Sequence, residues 1–115
     1  MSKINIETIL ENKNNNELIK NNVKGIINNN KINYLEDNIK VSIILDNNVV
    51  IKRIDDEKEI ILEFVLNKNT KCLYNIYGKQ LKLNIYTNNV IIEDNYIEID
   101  YTIEENNMNF KLYIK

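Results

Sequence analysis

Between Thr70 and Thr87 the chain reads TKCLYNIYGKQLKLNIYT, with apolar side chains on alternate residues either side of one glycine. A period of two belongs to a pleated strand, whose successive side chains point to opposite faces. Gly78 sits where an antiparallel pair has to reverse. A two-residue loop at Gly78–Lys79, of the type that takes glycine first, opposes Ile76 to Leu81, Tyr74 to Leu83, Cys72 to Ile85 and Thr70 to Thr87. That face is mostly apolar, whereas the other carries Lys71, Asn75, Lys82 and Asn84. A slip of one residue would mix the two, so the pattern calls for a sheet with one buried side.

The same register arithmetic runs in both directions. A loop at Asn67–Asn69 opposes Phe64 to Cys72, Leu62 to Tyr74 and Ile60 to Ile76, and a loop at Asp55–Lys58 opposes Ile51 to Leu62 and Val49 to Phe64. Asn88–Asn89, taken as a turn, sets Ile92 against Ile85; Asp94–Asn95 sets Ile97 against Ile92. A loop at Glu104–Asn107 sets Met108 against Ile103 and Phe110 against Tyr101. Asparagine can punctuate these segments because it tolerates positive φ better than other non-glycine residues. An antiparallel meander is therefore expected from about Lys40 to the C-terminus.

The N-terminal third is less regular. KINIETILE alternates as a strand. In ELIKNNVKGII, Ile19, Val23 and Ile27 recur at helical spacing, yet with Gly25 they also share one face of a strand; the asparagines and Gly25 disfavour the helix. KINYLED and KVSIILD supply two more strands. That many strands laid flat would leave aggregation-prone edges, and closure removes them. The expected fold is all-β, an antiparallel up-and-down β-barrel of about 8–10 strands. Residues 1–115 are read as a single domain with one modest core.

The segments YLED, VVIKRI, ILEF, CLYNIYGKQLKLNIYT and IEIDYTI, in this order and spacing, resemble the YwiB-like family of uncharacterised bacterial proteins. The most specific part is Tyr74–x–x–Tyr77–Gly78 followed by the alternating strand that ends at Thr87. Glu36, Arg53, Phe64 and Tyr101 fall on positions matching the family's motif. The resemblance covers nearly the whole chain and implies a calycin-like barrel, related in shape to lipocalins. This chain departs from the family in Asn75–Ile76, where a Thr–Pro pair is common, and in its compact loops. The resemblance brings no established activity with it.

Several kinds of chemistry are excluded by composition. With no histidine there is no imidazole base, no Ser–His or Cys–His dyad and no His-ligated zinc. Cys72 is the single cysteine, so neither an internal disulfide nor a thiolate metal site can form, and its place on the apolar face suits a small buried hydrophobe. Gly25 and Gly78 are too far apart for a phosphate-cradling loop. The acidic runs IDDEKE and IEENN fall on turns, and DNNVVIKRIDDE does not supply the ligand spacing of a calcium loop. Fifteen basic residues are interspersed with 17 acidic ones, without the stripe that nucleic acid or an anionic membrane attracts. No apolar run approaches a membrane span, and MSKINIETIL carries no signal-peptide core. A cytoplasmic, non-enzymatic protein without metal or cofactor is expected, and neither nucleic acid nor membrane is expected as a partner.

Candidate site residues come from polar groups on the inward face. Arg53 is the only arginine and shares that face with Val49 and Ile51. A guanidinium there needs a partner. It closes one barrel end by pairing with a carboxylate, for which Glu36 is placed, grips an anionic ligand at the barrel mouth, or extends its head into solvent. Thr70, Tyr74, Thr87 and Tyr101 complete the inward polar set. The candidate ligand-binding residues are Arg53, Tyr74, Tyr101, Thr87 and Glu36, holding a small, partly apolar molecule. The competing reading is a filled barrel in which the tyrosines are core. Its outer residues Ile61, Leu73, Tyr86 and Ile91 would then dock a protein partner or a second copy as a homodimer.

Overall fold

The structure, a computed structural model, describes residues 2–115. Ten strands follow one another: β1 (Ser2–Asn12), β2 (Glu17–Asn28), β3 (Lys31–Glu36), β4 (Ile39–Leu45), β5 (Val49–Ile54), β6 (Lys58–Phe64), β7 (Asn69–Ile76), β8 (Lys79–Glu93), β9 (Tyr96–Ile103) and β10 (Asn106–Ile114). Each strand pairs antiparallel with its sequence neighbours, and β1 pairs with β10 to close the ring. The chain is thus the all-β, up-and-down barrel that its alternation predicts, and the N-terminal third is strand throughout β1 to β3.

Two hairpins keep the expected register: Ile51 faces Leu62 between β5 and β6, and Ile92 faces Ile97 between β8 and β9. Three others are displaced by two residues. At β7–β8 the loop is Tyr77–Gly78, with φ of 49° and 76°, so that Ile76 faces Lys79 and Tyr74 faces Leu81. Both central residues have positive φ, which is the type I′ geometry that matches strand twist. At β6–β7, Ile60 faces Tyr74, and at β9–β10, Met108 faces Tyr101. A displacement of two preserves parity, so every inward residue stays inward.

Asn88–Asn89 is not a turn. β8 runs through it as one long strand with a bulge, since Thr87 faces Tyr101 while Asn89 faces Asp100. The extra residue, Asn88, switches the inward parity from Ile85 and Thr87 to Val90 and Ile92. Asparagine suits both a turn and a bulge, so composition alone does not separate them. Beyond Tyr86 the strand also leaves β7, and the β6–β7 loop takes over: Asn67 N donates to Thr87 O at 2.9 Å.

β2 is shared unequally by its neighbours. It pairs with β1 from Glu17 to Ile27, but with β3 only over Gly25–Asn28. Glu17–Lys24 therefore carries a free edge on the β3 side. The strands diverge at Gly25, where a Cβ would lie 2.5 Å from Ile6 Cδ1 and 2.8 Å from Asn33 O.

Side chains inside the barrel sort into two halves. Ile32, Ile43, Phe64, Ile85, Ile97, Ile99 and Leu112 are buried. They fill the end of the barrel that carries the β2–β3, β4–β5, β6–β7 and β8–β9 turns. Toward the other end the inward residues become larger and more polar, and the packing opens.

Candidate ligand cavity

A partly open cavity of about 350 Å³ occupies that second half. Leu10, Ile60, Leu62, Leu83, Ile103 and Phe110 form apolar wall. Thr8, Asn21, Tyr34, Glu36, Arg53, Tyr74 and Tyr101 add polar groups. Size and lining match those of small-molecule sites, which are concave, mostly apolar and supplied with a few orienting polar groups.

Arg53 and Glu36 meet in a two-pronged ion pair: Nη2 donates to Oε1 at 3.0 Å and Nη1 to Oε2 at 3.3 Å. They stand on β5 and β3, so their side chains reach across the inward face of the intervening β4. Arg53 faces Val41 there, and Glu36 faces Ile39. Their side chains are 29% and 17% exposed, which leaves the pair at the boundary between cavity and solvent. Of the three roles open to Arg53, the structure shows the carboxylate pairing, with its guanidinium on Glu36.

Tyr101 packs edge-on to Phe64, with ring centroids 4.8 Å apart at 62°. Burial pushes its phenol up to about 12, with Cys72 adding to the shift and the Arg53 charge opposing it. Burial raises Tyr34 as well, with the Glu36 charge adding and Arg53 opposing. Cys72 is raised by burial. At neutral pH these groups are protonated, so the cavity offers hydrogen-bond donors and no phenolate or thiolate nucleophile. The hydroxyls of Tyr34, Tyr74 and Tyr101 belong to the cavity wall, and among the described residues none of them is a sealed polar atom left without a partner.

The structure brings Arg53, Glu36, Tyr74 and Tyr101 to one cavity. Thr87 stands apart. Its position beside the β8 bulge buries it completely in the packed half, and its Oγ1 finds no hydrogen-bond partner among the described residues. Thr70 is spent locally, its hydroxyl donating to the Glu63 carbonyl. The outer quartet does not assemble either: Ile61 faces Leu73, but Tyr86 faces Asn69 and Thr102, and Ile91 lies past the bulge opposite Glu98. Tyr34, Thr8 and Asn21 are cavity residues that the inward polar set of the sequence omits. The signal was present, since Tyr34 shares a strand face with Ile32 and Glu36, and Thr8 with Ile6 and Leu10.

A second, shallower depression of about 790 Å³ lies across β1–β4, with Lys3, Lys24, Lys40 and Leu35 on its border. Among the described residues no group of three or more His, Cys, Asp or Glu side chains is placed to hold a metal ion. Nor, among them, is any helix long and apolar enough to cross a membrane.

Ten antiparallel strands closed in sequence order, packed at one end and hollow at the other, make this an up-and-down β-barrel protein. Within that class the chain belongs to the family described as "Domain of unknown function (DUF1934)", whose model matches residues 4–114. The crystal structure of ywiB protein from Bacillus subtilis is similar to it, with a TM-score of 0.65 and 17% sequence identity. The match covers 98% of this chain and 90% of that one, in agreement with the YwiB-like resemblance of the sequence. A comparison with curated proteins finds no match.

Proposed function

We propose that this protein is a non-catalytic, cytoplasmic binding protein that takes one small, partly apolar molecule into the hollow half of its barrel. The observation that carries the reading is a partly open cavity of about 350 Å³ whose mostly apolar wall brings Tyr34, Tyr74 and Tyr101 together with the Arg53–Glu36 pair. A concave, mostly apolar wall with a few polar groups is the usual form of a small-molecule site, and it suits a ligand with a polar head and an apolar body. The non-catalytic part of the reading is supported by the protonated phenols and thiol, and by the mutual pairing of Arg53 and Glu36. The cytoplasmic part is supported by the lone cysteine kept as a buried thiol.

Native mass spectrometry of the purified protein tests for a retained molecule, and titration with the fluorescent probe N-phenylnaphthylamine tests the empty cavity. Saturable fluorescence enhancement is expected from the unsubstituted chain, with loss of the signal in Leu83→Trp, which fills the cavity. Probe binding that survives Leu83→Trp unchanged would place it elsewhere and remove the support for this reading.

A second reading, self-association, is favoured by the free edge of β2 from Glu17 to Lys24, where Leu18 and Ile19 are about half exposed. Free edges pair readily with another strand. Sedimentation of the intact chain against an Ile19→Lys variant separates a dimer built on that edge from a monomer.

A further inference from the structure

We propose that the cavity selects molecules without net charge, carrying an uncharged hydrogen-bonding head such as a carboxamide or an alcohol at the Arg53–Glu36 end. The proposal rests on the ligand-cavity reading and names the class of molecule that site would take.

The argument is one of charge balance. Among the described residues, Arg53 and Glu36 are the only formally charged side chains in the cavity wall, and each is already paired with the other. Lys58 and Lys79 share the inward parity but flank Ile76 at the rim and are not part of the wall. An anion placed beside the guanidinium would be repelled by the adjoining Glu36 carboxylate, and a cation beside the carboxylate would be repelled by Arg53. The pair as a whole is neutral, so it offers little net attraction to repay the cost of taking either ion out of water. An uncharged head has no such conflict. Arg53 has five N–H donors and directs only two at Glu36, so others remain for a carbonyl or hydroxyl oxygen. The carboxylate keeps lone pairs for an N–H or O–H donated by the same head. The hydroxyls of Tyr34, Tyr74 and Tyr101, all in the same wall, add further uncharged partners.

Three probes of nearly equal shape test this on the full chain near neutral pH: naphthylacetamide, naphthylacetate and naphthylethylammonium, titrated while backbone amide signals are followed by NMR. The amide is expected to bind at least about tenfold more tightly than either ion, a difference of about 1.4 kcal/mol, and to move the signals of Tyr101, Ile103 and Phe110. In Glu36→Gln the guanidinium is released, and the preference is expected to invert in favour of naphthylacetate. Binding of naphthylacetate to the unsubstituted chain as tightly as the amide would overturn the proposal while leaving the cavity reading intact. A ratio left unchanged by Glu36→Gln would overturn it in the same way. Absence of cavity shifts with all three probes would overturn both.

Discussion

Replacing Gly25 with alanine puts a methyl group where two strands nearly touch. The new Cβ would lie 2.5 Å from Ile6 Cδ1, 2.8 Å from Asn33 O and 3.2 Å from Tyr34 Cβ. Ile6 could rotate, although it is only 2% exposed and packed on its other sides. Asn33 O cannot move alone, because it is backbone held by the pairing of Ile26 with Asn33 and Gly25 with Tyr34. Overpacking of this kind costs about 1–3 kcal/mol, and a backbone contact argues for the upper part of that range. The gain from restricting the unfolded chain offsets about 0.4–1 kcal/mol. A net loss of about 2 kcal/mol is expected, or roughly 8 °C in melting temperature for a domain of this size.

Gly78 supplies the contrast. A Cβ there meets nothing within 4 Å, but φ is +76°, so only backbone strain opposes the substitution. That strain costs about 1–2 kcal/mol, and the same unfolded-state gain reduces it to a net of about 1 kcal/mol. Asparagine adopts positive φ more readily, so Gly78→Asn should be milder than Gly78→Ala, whereas Gly25→Asn should be worse than Gly25→Ala. Ile6→Val, which deletes the clashing Cδ1, should couple favourably with Gly25→Ala in a double-mutant cycle. Thermal and urea unfolding followed by circular dichroism measures each of these chains. The steric account of Gly25 is refuted if Gly25→Ala melts within about 2 °C of the unsubstituted protein, or if asparagine there is no worse than alanine.

Removing one partner of the Arg53–Glu36 pair should cost more than removing both. Glu36→Gln or Arg53→Met alone is expected to lose about 1–3 kcal/mol in urea unfolding, the partial exposure of the pair screening the larger penalty of a fully buried ion, and the double substitution should recover part of it. Thr87→Val removes a sealed hydroxyl that has no partner among the described residues while keeping its shape, and should raise stability by up to about 1 kcal/mol; a lower melting temperature would show that the hydroxyl is bonded after all. The alkaline limb of stability should carry the buried phenols. Tyr101 is pushed from 10.0 to about 12, so the folded state holds its proton more tightly than the unfolded chain. Its contribution is complete below pH 10 and declines as pH rises toward 12. Tyr101→Phe should flatten that decline in a series of thermal melts, and an unchanged slope would assign it to other groups.

Parity, more than register, was legible in the sequence. The predicted Gly78–Lys79 loop and the observed Tyr77–Gly78 loop differ because tyrosine at φ 49° is not foreshadowed by residue type. The displacement by two nevertheless left Cys72, Tyr74, Leu83 and Ile85 on the inner face, and the core assignment survived. Asn88 was harder, since only the continued pairing of β8 with β9 separates a bulge from a turn. The Arg53–Glu36 contact could be anticipated because a lone inward arginine requires a carboxylate, and Glu36 was the inward one nearby. The cavity itself depends on how far facing walls stand apart, which alternation along single strands does not encode. For that reason Thr87 was grouped with Tyr74 and Tyr101 although it packs solidly at the other end.

Four residue pairs join β2 to β3, fewer than at any other join around the ring. A hoop with one such short fastening works mechanically as a clasp. Releasing it would turn the closed wall into a curled ribbon in which the other nine joins persist. Internal volume could then be exposed and resealed without dismantling the molecule, and of the amide protons held between strands those along Gly25–Asn28 would trade with water early.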